Sequence, residues 1–135
     1  MPSNGKQSVL PGMESFAPQF GDGFLQDHAG RILSDPKIAL VELIANCWDA
    51  GADTVQISWP ANQGGKFSIA DNGTGMTLDE FRRRWLHLKY NRRQEQGDDV
   101  EFPSGNQGSN RKAFGRNGKG RHAMFCFSDT YSVQT

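Results

Sequence analysis

A narrow polar stripe on an otherwise apolar helix is the feature that most constrains what this chain can fold into. On a helical wheel with Glu42 at zero, Asn46 falls at about 40° and Asp49 at about −20°, so the three side chains share one face. The flanking positions are almost wholly apolar: Leu40, Val41, Leu43, Ile44, Cys47 and Trp48. The pattern predicts a largely buried helix whose polar stripe is buried with it, where carboxylates need a cation or hydrogen-bond donors beside them. The alternative is that the stripe is the solvent-facing side of an amphipathic helix.

Both ends of this helix carry recognisable signals. Ser34-Asp35-Pro36 predicts its start, because a capping side chain precedes a proline at the first helical position. The helix is predicted to run to about Ala50, with Gly51 as its stop. A shorter helix is predicted before it, over residues 24–33.

Two alternating runs after the helix, residues 54–59 and 66–70, predict a hairpin of two strands with one face buried. Asp71-x-Gly73-x-Gly75 ends the second strand. Its glycines permit a tight turn and let a planar ligand approach the backbone closely, and the carboxylate can accept a hydrogen bond from an exocyclic amine. The alternative is an ordinary Asp-Asn-Gly turn between two elements.

The second half of the chain alternates between helix signals and a long polar segment. Residues 77–80 form a capping box that predicts a helix through about Tyr90. Residues 91–117 contain almost no apolar side chains, which predicts a functional lid or a disordered loop. A helix is predicted over residues 118–127, and residues 131–134 are predicted to start a strand.

A third glycine motif, Gly115-x-x-Gly118-x-Gly120, opens the last predicted helix. Bare amide groups and the positive end of a helix dipole at this point predict phosphate binding. The motif is not a P-loop, because Gly-Lys is followed by Gly120 rather than by Ser or Thr. The run Gly118-x-Gly120-x-x-Ala123 also resembles a dinucleotide fingerprint, but no apolar strand precedes it and no acid follows at the usual distance.

Charge is distributed unevenly along a chain whose net charge is zero. Between residues 82 and 121 there are eleven Lys or Arg and four Asp or Glu, so that segment carries +7 and the remainder −7. A positive field in one region predicts an anionic partner there. Nucleic acid is one such partner, although Phe102 and Phe114 alone supply aromatic rings for base stacking within the loop.

Length and composition set the domain organisation. With 135 residues and 36% hydrophobic content, the chain predicts one globular domain, residues 24–135, behind an irregular N-terminal arm, residues 1–23. The absence of a long apolar run and of a signal-peptide pattern predicts a cytoplasmic protein with no membrane partner. Cys47 and Cys126 lack the spacing of a zinc site or a disulfide framework and are predicted to be buried free thiols.

Taken in order, the three motifs resemble the N, G1 and G2 boxes of the GHKL superfamily, which includes gyrase B subunits, ninety-kilodalton heat-shock chaperones, histidine kinases, MutL-type repair proteins and MORC ATPases. The boxes are Glu42-x3-Asn46-x2-Asp49-Ala50, residues 71–77 and residues 115–120, and the match spans residues 38–127. The resemblance implies a Bergerat-type α+β fold, a two-layer α/β sandwich with helices on one face of a mixed sheet. Members of the superfamily continue with further strands after the G2 helix, so a domain truncated at its C-terminus is expected.

The same resemblance implies a site for ATP and Mg²⁺. Glu42 is implied as the catalytic base that polarises the attacking water, Asn46 as the Mg²⁺ ligand and Asp71 as the acceptor for the adenine amino group. The implied nucleotide-binding set is Asn46, Asp49, Asp71, Gly73, Gly75, Met76, Thr77, Lys89, Gly115, Arg116, Asn117, Gly118, Lys119, Gly120 and Arg121.

The implied function is Mg-dependent ATP binding with ATP hydrolysis, acting as a conformational switch. Hydrolysis is favoured over autokinase activity because the roughly 30 residues upstream of the first box hold no His-bearing helical domain. A second copy of the chain, or a partner chain that completes the domain, is an expected partner. Two alternatives remain: a nucleic-acid-binding module that uses residues 82–121, and a non-catalytic ATP-binding interaction domain.

Overall fold

Helix α2, Pro36–Asp49, is the element around which the other described elements are arranged. This computed structural model describes residues 29–87, 90–103, 110–115 and 118–135. Helix α1, Arg31–Ser34, lies directly before α2. It ends one residue beyond the short helix predicted over residues 24–33, of which residues 24–28 lie outside the described residues.

The predicted boundaries of α2 are confirmed. The Asp35 carboxylate caps the helix by accepting hydrogen bonds from the backbone N–H groups of Lys37 at 3.0 Å and Ile38 at 3.4 Å. These bonds satisfy two of the donors that the first turn of a helix leaves without intrahelical partners. Gly51 follows the helix with a φ of 73°, a left-handed conformation that glycine adopts without strain.

The prediction that α2 is largely buried is wrong for one side of the helix. Ala39, Leu43, Ala45 and Cys47 are buried. Val41, Ile44 and Trp48, spaced three and four residues apart, are 53%, 39% and 46% exposed. These three residues form a stripe on the outer face. Hydrophobic periodicity alone therefore indicated how apolar the helix is, but not which of its faces other elements cover.

Strands β1, Val55–Ser58, and β2, Ser68–Asp71, form the predicted hairpin. They pair antiparallel, with Val55 opposite Asp71 and Ser58 opposite Ser68. Within the described residues the sheet has these two strands alone.

The core lies between α2, one face of the hairpin and a 3-10 helix that spans Gly120–Cys126. Ala39, Leu43 and Ala123 form its buried centre, and the partly buried residues packed around them are Ile32, Phe67, Ile69, Met124, Cys126 and Phe127. Full burial of a leucine-sized side chain stabilises a fold by about 1.5–3 kcal/mol. Helices packed on one face of a small antiparallel sheet confirm the α+β fold class.

The capping box predicted at residues 77–80 is present, but the helix that follows is shorter than predicted. Helix α3, Leu78–Glu80, continues as a π-helical turn over Phe81–Trp85, and helical hydrogen bonding ends at Leu86. The end predicted at Tyr90 is therefore wrong. The π-helical turn stacks the rings of Phe81 and Trp85 at 6.3 Å and lets the Trp85 indole N–H donate to the Tyr131 hydroxyl at 3.1 Å.

The polar segment after this turn is more ordered than its composition suggests. Helix α4, Arg92–Gln96, lies near its start. Asp99 and Lys112 then form an antiparallel bridge, flanked by a hydrogen bond from the Val100 N–H to the Arg111 carbonyl at 2.9 Å. Residues 91–103 and 110–115, called the polar loop from here on, are thus joined to each other by backbone pairing.

The C-terminal part departs from prediction in three ways. The helix expected over residues 118–127 is present as the 3-10 helix Gly120–Cys126. No strand forms over residues 131–134, since none of the described residues pairs with them. Cys47 is a buried free thiol as predicted, whereas the free thiol Cys126 is only half-buried.

The predicted N-terminal arm, residues 1–23, lies outside the described residues. Within the described ranges, no helix has both the length and the apolar character needed to span a bilayer.

Candidate functional site

A cavity of about 1340 Å³ lies between α2, the hairpin and the 3-10 helix. Eleven of the sequence-predicted site residues line it: Glu42, Asn46, Asp49, Asp71, Gly75, Met76, Gly115, Gly118, Lys119, Gly120 and Arg121. Gly73 and Thr77 belong to the segment after β2 but are not among the lining residues. Lys89, Arg116 and Asn117 lie outside the described residues. Site residues from the three motif regions, up to 79 positions apart in sequence (Glu42 to Arg121), therefore meet at one cavity.

The polar stripe of α2 faces the first turn of the 3-10 helix. A Cβ placed on Gly120 would lie 2.6 Å from Glu42 Oε2 and 3.3 Å from Asn46 Oδ1. A side chain at Gly120 would therefore collide with the carboxylate, and glycine keeps the space beside both polar groups open. Asn46 Nδ2 is buried without a hydrogen-bond partner among the described residues. A buried donor of this kind is suited to hydrogen-bond a bound ligand or water.

The electrostatic environment of Glu42 favours a proton acceptor. Burial raises the pKa of Glu42, and the nearby negative charge of Asp49 raises it further. A carboxylate with a raised pKa binds a proton more strongly than an exposed one, which suits general-base chemistry near neutral pH.

Asp71 is held at the end of β2 by the turn that follows it. Its Oδ1 accepts a hydrogen bond from the Gly73 N–H at 2.8 Å. A Cβ on Gly73 would lie 2.5 Å from the carbonyl oxygen of Ala50, the same oxygen that accepts a hydrogen bond from the Thr74 N–H at 2.7 Å. Burial raises the pKa of the Cys47 thiol to about 12, and the charge and hydrogen bonding of Asp71 contribute to that rise. The turn is thus fixed against the end of α2, with Asp71 beside the thiol.

The next residues of the same segment already use their polar groups within the chain. The Met76 N–H donates to Thr135 Oγ1 at 2.6 Å. The Thr77 hydroxyl donates to Glu80 Oε2 at 3.0 Å and accepts from the Glu80 N–H at 3.3 Å, which completes the capping box. The contact of Thr77 with a nucleotide stays a prediction, and in this structure its hydroxyl caps α3.

Asp49, the third member of the polar stripe, is engaged by the polar loop. Its Oδ1 accepts a hydrogen bond from the Phe114 N–H at 2.7 Å, and its Oδ2 accepts one from the Gly115 N–H at 2.8 Å. The Arg92 guanidinium forms an ion pair with it at 3.9 Å. This carboxylate therefore joins the end of α2 to both limbs of the loop.

Arg121 places a buried positive charge at the cavity. Its side chain donates through Nη1 to the Arg84 carbonyl, while Nε and Nη2 are buried without a partner in the described part of the chain. Burial lowers the pKa of Arg121, which is only 5% exposed. A buried guanidinium with unused donors is stabilised by an anion, and phosphate oxygens match its geometry. Lys119 lines the cavity two residues earlier.

Gly118 is required by backbone geometry. It has a φ of 62°, and a Cβ there would collide with the carbonyl oxygen of Tyr90. Tyr90 is itself buried, so the backbone on both sides of the contact has little room to move.

We expect Gly118→Ala to destabilise the protein by more than the about 1–2 kcal/mol that a left-handed backbone alone costs a non-glycine residue. Gly64→Ala is the matched control, because Gly64 has a φ of 82° but no atom within 4 Å of its Cβ position. The measurement is the free energy of unfolding in urea for both variants. Equal losses would show that contact with Tyr90 contributes nothing.

Several cavity-lining residues were missed by sequence reasoning: Arg84, Trp85, Tyr90, Arg92, Tyr131 and Thr135. Arg84 and Arg92 belong to the segment whose positive charge was recognised, but the pattern did not separate them from their basic neighbours. Tyr131 and Thr135 reach the site through the C-terminal segment, where the sequence pattern indicated a strand and no site residue.

Much of the positive charge in the segment 82–121 is neutralised within the chain. Ion pairs join Arg82 to Asp79, Arg84 to Glu80, Arg93 to Asp98 and Lys112 to Asp99. Arg92 and Arg121 are buried. Asp79 and Glu80 lie outside the segment, so their two ion pairs and the burial of Arg92 and Arg121 leave less exposed charge for a nucleic-acid backbone than the net count of +7 suggested.

Comparisons with known proteins match most of this chain to one family. The family described as histidine kinase-, DNA gyrase B-, and HSP90-like ATPase matches residues 34–135. The chain is 39% identical over 54 residues to the DNA mismatch repair protein MutL of Halobacterium salinarum, a match that covers 40% of this chain and 8% of that protein. It is 32% identical over 93 residues to the putative type II restriction enzyme HgiDII of Herpetosiphon aurantiacus, covering 69% of this chain and 13% of the enzyme.

A third relative is the MutL of Rhizorhabdus wittichii, which is 40% identical over 53 residues, covering 39% of this chain and 9% of that protein. The matches therefore span 8% to 13% of the length of these relatives. No solved structure matches the chain.

Proposed function

The chain belongs to the family of histidine kinase-, DNA gyrase B- and HSP90-like ATPases, and from that premise we propose that it binds ATP with Mg²⁺, hydrolyses it and acts as a conformational switch. Membership of this family supports ATP binding and ATPase activity in general terms. The metal dependence, the roles of single residues and the switch are the proposal.

The observation that carries the proposal is the juxtaposition of Glu42, Asn46 and Gly120. One carboxylate and one amide oxygen lie beside a glycine that leaves space in front of them, at the start of a helix in a cavity large enough for a nucleotide. Backbone N–H groups at a helix start and the positive charge of Lys119 and Arg121 suit a phosphate chain in that space.

In the proposed reaction Glu42 acts as the general base. It takes a proton from water as the water oxygen forms its bond to the γ-phosphorus, and the bond between that phosphorus and the β,γ-bridging oxygen breaks to release ADP and phosphate. The raised pKa of Glu42 supports this role, because it strengthens the base. Arg121 would stabilise the phosphate charge with the guanidinium nitrogens that have no partner among the described residues.

The donor set near Asn46 fits Mg²⁺ better than a transition metal. Among the described residues, no group of three or more His, Cys, Asp or Glu side chains is arranged to hold a metal ion. Mg²⁺ is commonly held by one or two protein oxygens together with phosphates and water, and Asn46 Oδ1 would supply such an oxygen. When bound, Mg²⁺ would neutralise phosphate charge.

The adenine end of the site is proposed at the segment after β2. Asp71 would accept a hydrogen bond from the exocyclic amine, while Gly73, Gly75 and Met76 would let the ring approach the backbone. Thr77 is proposed to lie near the ring. Lys89, Arg116 and Asn117, which are outside the described residues, are proposed as further phosphate contacts on the basis of the family boxes alone.

The switch is proposed to act through the loop 91–117, which would close over the nucleotide as a lid. Its described limbs contact α2 at Asp49, beside the proposed phosphate end of the cavity, so a change in the nucleotide would alter their position. The receiver of that change is proposed to be a second copy of the chain or a partner chain that completes the domain.

The proposal predicts that Mg-ATP stabilises the folded chain. A ligand that binds only the native state adds about 2.7 kcal/mol at 100 times its dissociation constant. The measurement is a thermal-unfolding series with ATP, ADP and a non-hydrolysable analogue, each with and without Mg²⁺. GTP serves as the control for non-specific phosphate binding. An unchanged midpoint at millimolar Mg-ATP would rule out the proposed site.

Phosphate release in the same samples separates this proposal from a non-catalytic ATP-binding domain. Stabilisation by Mg-ATP without any release, in the longest form of the protein available, would favour the non-catalytic alternative.

A further inference from the structure

The contacts of Asp49 set it apart from the other two residues of the polar stripe. Glu42 and Asn46 face the open space beside Gly120, whereas both carboxylate oxygens of Asp49 are engaged by backbone N–H groups, at 2.7 Å from Phe114 and 2.8 Å from Gly115. Hydrogen bonds from N–H groups to a carboxylate are charge-assisted and stronger than neutral ones. Both carboxylate oxygens of Asp49 therefore bind the backbone of the loop.

Arg92 joins the other limb of the polar loop to the same carboxylate. Its Nε lies 3.9 Å from Asp49 Oδ2, and the two side chains are 10% and 11% exposed. The guanidinium also donates to the carbonyl groups of Gly97 at 3.1 Å and Asp99 at 3.4 Å, which closes the turn after α4. Loss of Asp49 would leave a buried positive charge without its counter-ion, which is strongly destabilising for the local structure.

The contact with Asp49 also explains, on steric grounds, why position 115 is a glycine. A Cβ there would lie 2.8 Å from Asp49 Oδ2. Any side chain would push the carboxylate away, so only glycine lets the loop backbone approach this closely. The Gly115 N–H is engaged by Asp49 in this structure, which differs from the phosphate contact that its place in the motif implied.

We infer that Asp49 is a positioning residue that clamps the polar loop to the end of α2, rather than a direct ligand of the nucleotide. The clamp holds residues 113–115 against the helix that carries Glu42 and Asn46. Because Gly118 and Gly120 follow within five residues, fixing Gly115 restricts where the phosphate-binding turn can lie relative to Glu42 and Asn46. This inference rests on the proposed function for the consequence it has on nucleotide binding, while the clamp itself is a property of the free protein.

The test compares Asp49→Ala, Asp49→Asn and Gly115→Ala with the wild-type chain by amide hydrogen exchange without nucleotide. In Asp49→Ala we expect the Phe114 and Gly115 amides to exchange at least about tenfold faster, since both lose their acceptor. Asp49→Asn keeps one acceptor oxygen and should retain part of the protection. Gly115→Ala should reproduce the increase at Phe114 although the carboxylate is still present.

Asp98→Asn is the matched control. It removes an exposed ion pair with Arg93 in the same loop, at 2.5 Å, without touching Asp49. Exchange at Phe114 and Gly115 should stay unchanged in this variant.

The second measurement is the dissociation constant for Mg-ATP, which we expect to rise about tenfold or more in Asp49→Ala and less in Asp49→Asn.

Unchanged exchange at both amides in Asp49→Ala would overturn the clamp. Faster exchange with unchanged affinity would overturn its positioning role. A wild-type chain that shows protected amides but no Mg-ATP binding would instead overturn the proposed function, and with it the link from clamp to nucleotide. Should Asp49→Ala fail to fold, Asp49→Asn and Gly115→Ala carry both measurements.

Discussion

Glu42→Ala is expected to lower ATP hydrolysis by about 10²–10⁴, the range that a general base commonly contributes, while ATP affinity stays within a few fold. The reason is geometric: Glu42 lies beside Gly120 and the open space of the cavity, and the proposed role needs its carboxylate only when water attacks. The measurement pairs nucleotide affinity with phosphate release, made in the longest form of the protein available. The pairing matters because a loss of both would indicate a binding defect rather than a catalytic one.

Asn46→Ala is the companion variant, because Asn46 lies one helical turn beyond Glu42 and is proposed to contact the metal. It should weaken Mg-dependent binding itself, and the difference in affinity between ATP with and without Mg²⁺ should shrink. If the two roles are misassigned, Glu42→Ala will show the effect expected of Asn46→Ala, and the reverse. Loss of binding in Glu42→Ala together with loss of turnover alone in Asn46→Ala would reverse the two roles.

Asp71→Asn is expected to abolish the stabilisation by Mg-ATP. An asparagine can present its NH₂ group to the exocyclic amine of adenine, so a donor faces a donor and the recognition is lost. Hydrogen bonds that involve a charged group contribute about 1.5–3 kcal/mol each, and an unsatisfied buried partner costs a similar amount, so the affinity should fall by about a hundredfold or more. The measurement is isothermal titration of wild type and variant with Mg-ATP.

Two controls make this result specific to the nucleobase. Asp53→Asn changes a carboxylate that lies on the other side of the same turn, where it accepts a hydrogen bond from Asn72 Nδ2, and does not line the cavity. It should leave ATP affinity nearly unchanged. Inorganic triphosphate should bind Asp71→Asn as well as it binds wild type, since the phosphate end is untouched. Normal ATP affinity in Asp71→Asn would mean that adenine is recognised elsewhere.

The local elements of this fold were within reach of sequence reasoning because their signals act over short distances. Asp35 and Pro36 specify a helix start through the first turn alone. The alternation of apolar and polar residues at 54–59 and 66–70 specifies strands, because successive side chains of a strand point to opposite faces of the sheet. The order of the three boxes was also sufficient to group Glu42, Asn46, Asp71 and the glycines at one site, and the cavity gathers most of them.

Tertiary contacts decided the features that depend on distant partners. Whether Val41, Ile44 and Trp48 are covered depends on what packs outside α2, which periodicity does not encode. The same limit applies to Tyr90, which the helix signals placed at a helix end but which the structure places against Gly118.

By itself, the sequence determined that a polar stripe, an acidic turn and a glycine-rich helix start occur in an order that suits a nucleotide, because each is a local pattern of side-chain type and spacing. Only the tertiary structure decided which partners each residue of the polar stripe contacts. Glu42 and Asn46 face the same glycine, while Asp49, one turn further along, is held by two backbone N–H groups and Arg92 from a loop more than 40 residues away. The physical reason is that helical spacing sets the direction of a side chain, whereas its partner is set by which distant backbone the fold brings within hydrogen-bonding distance.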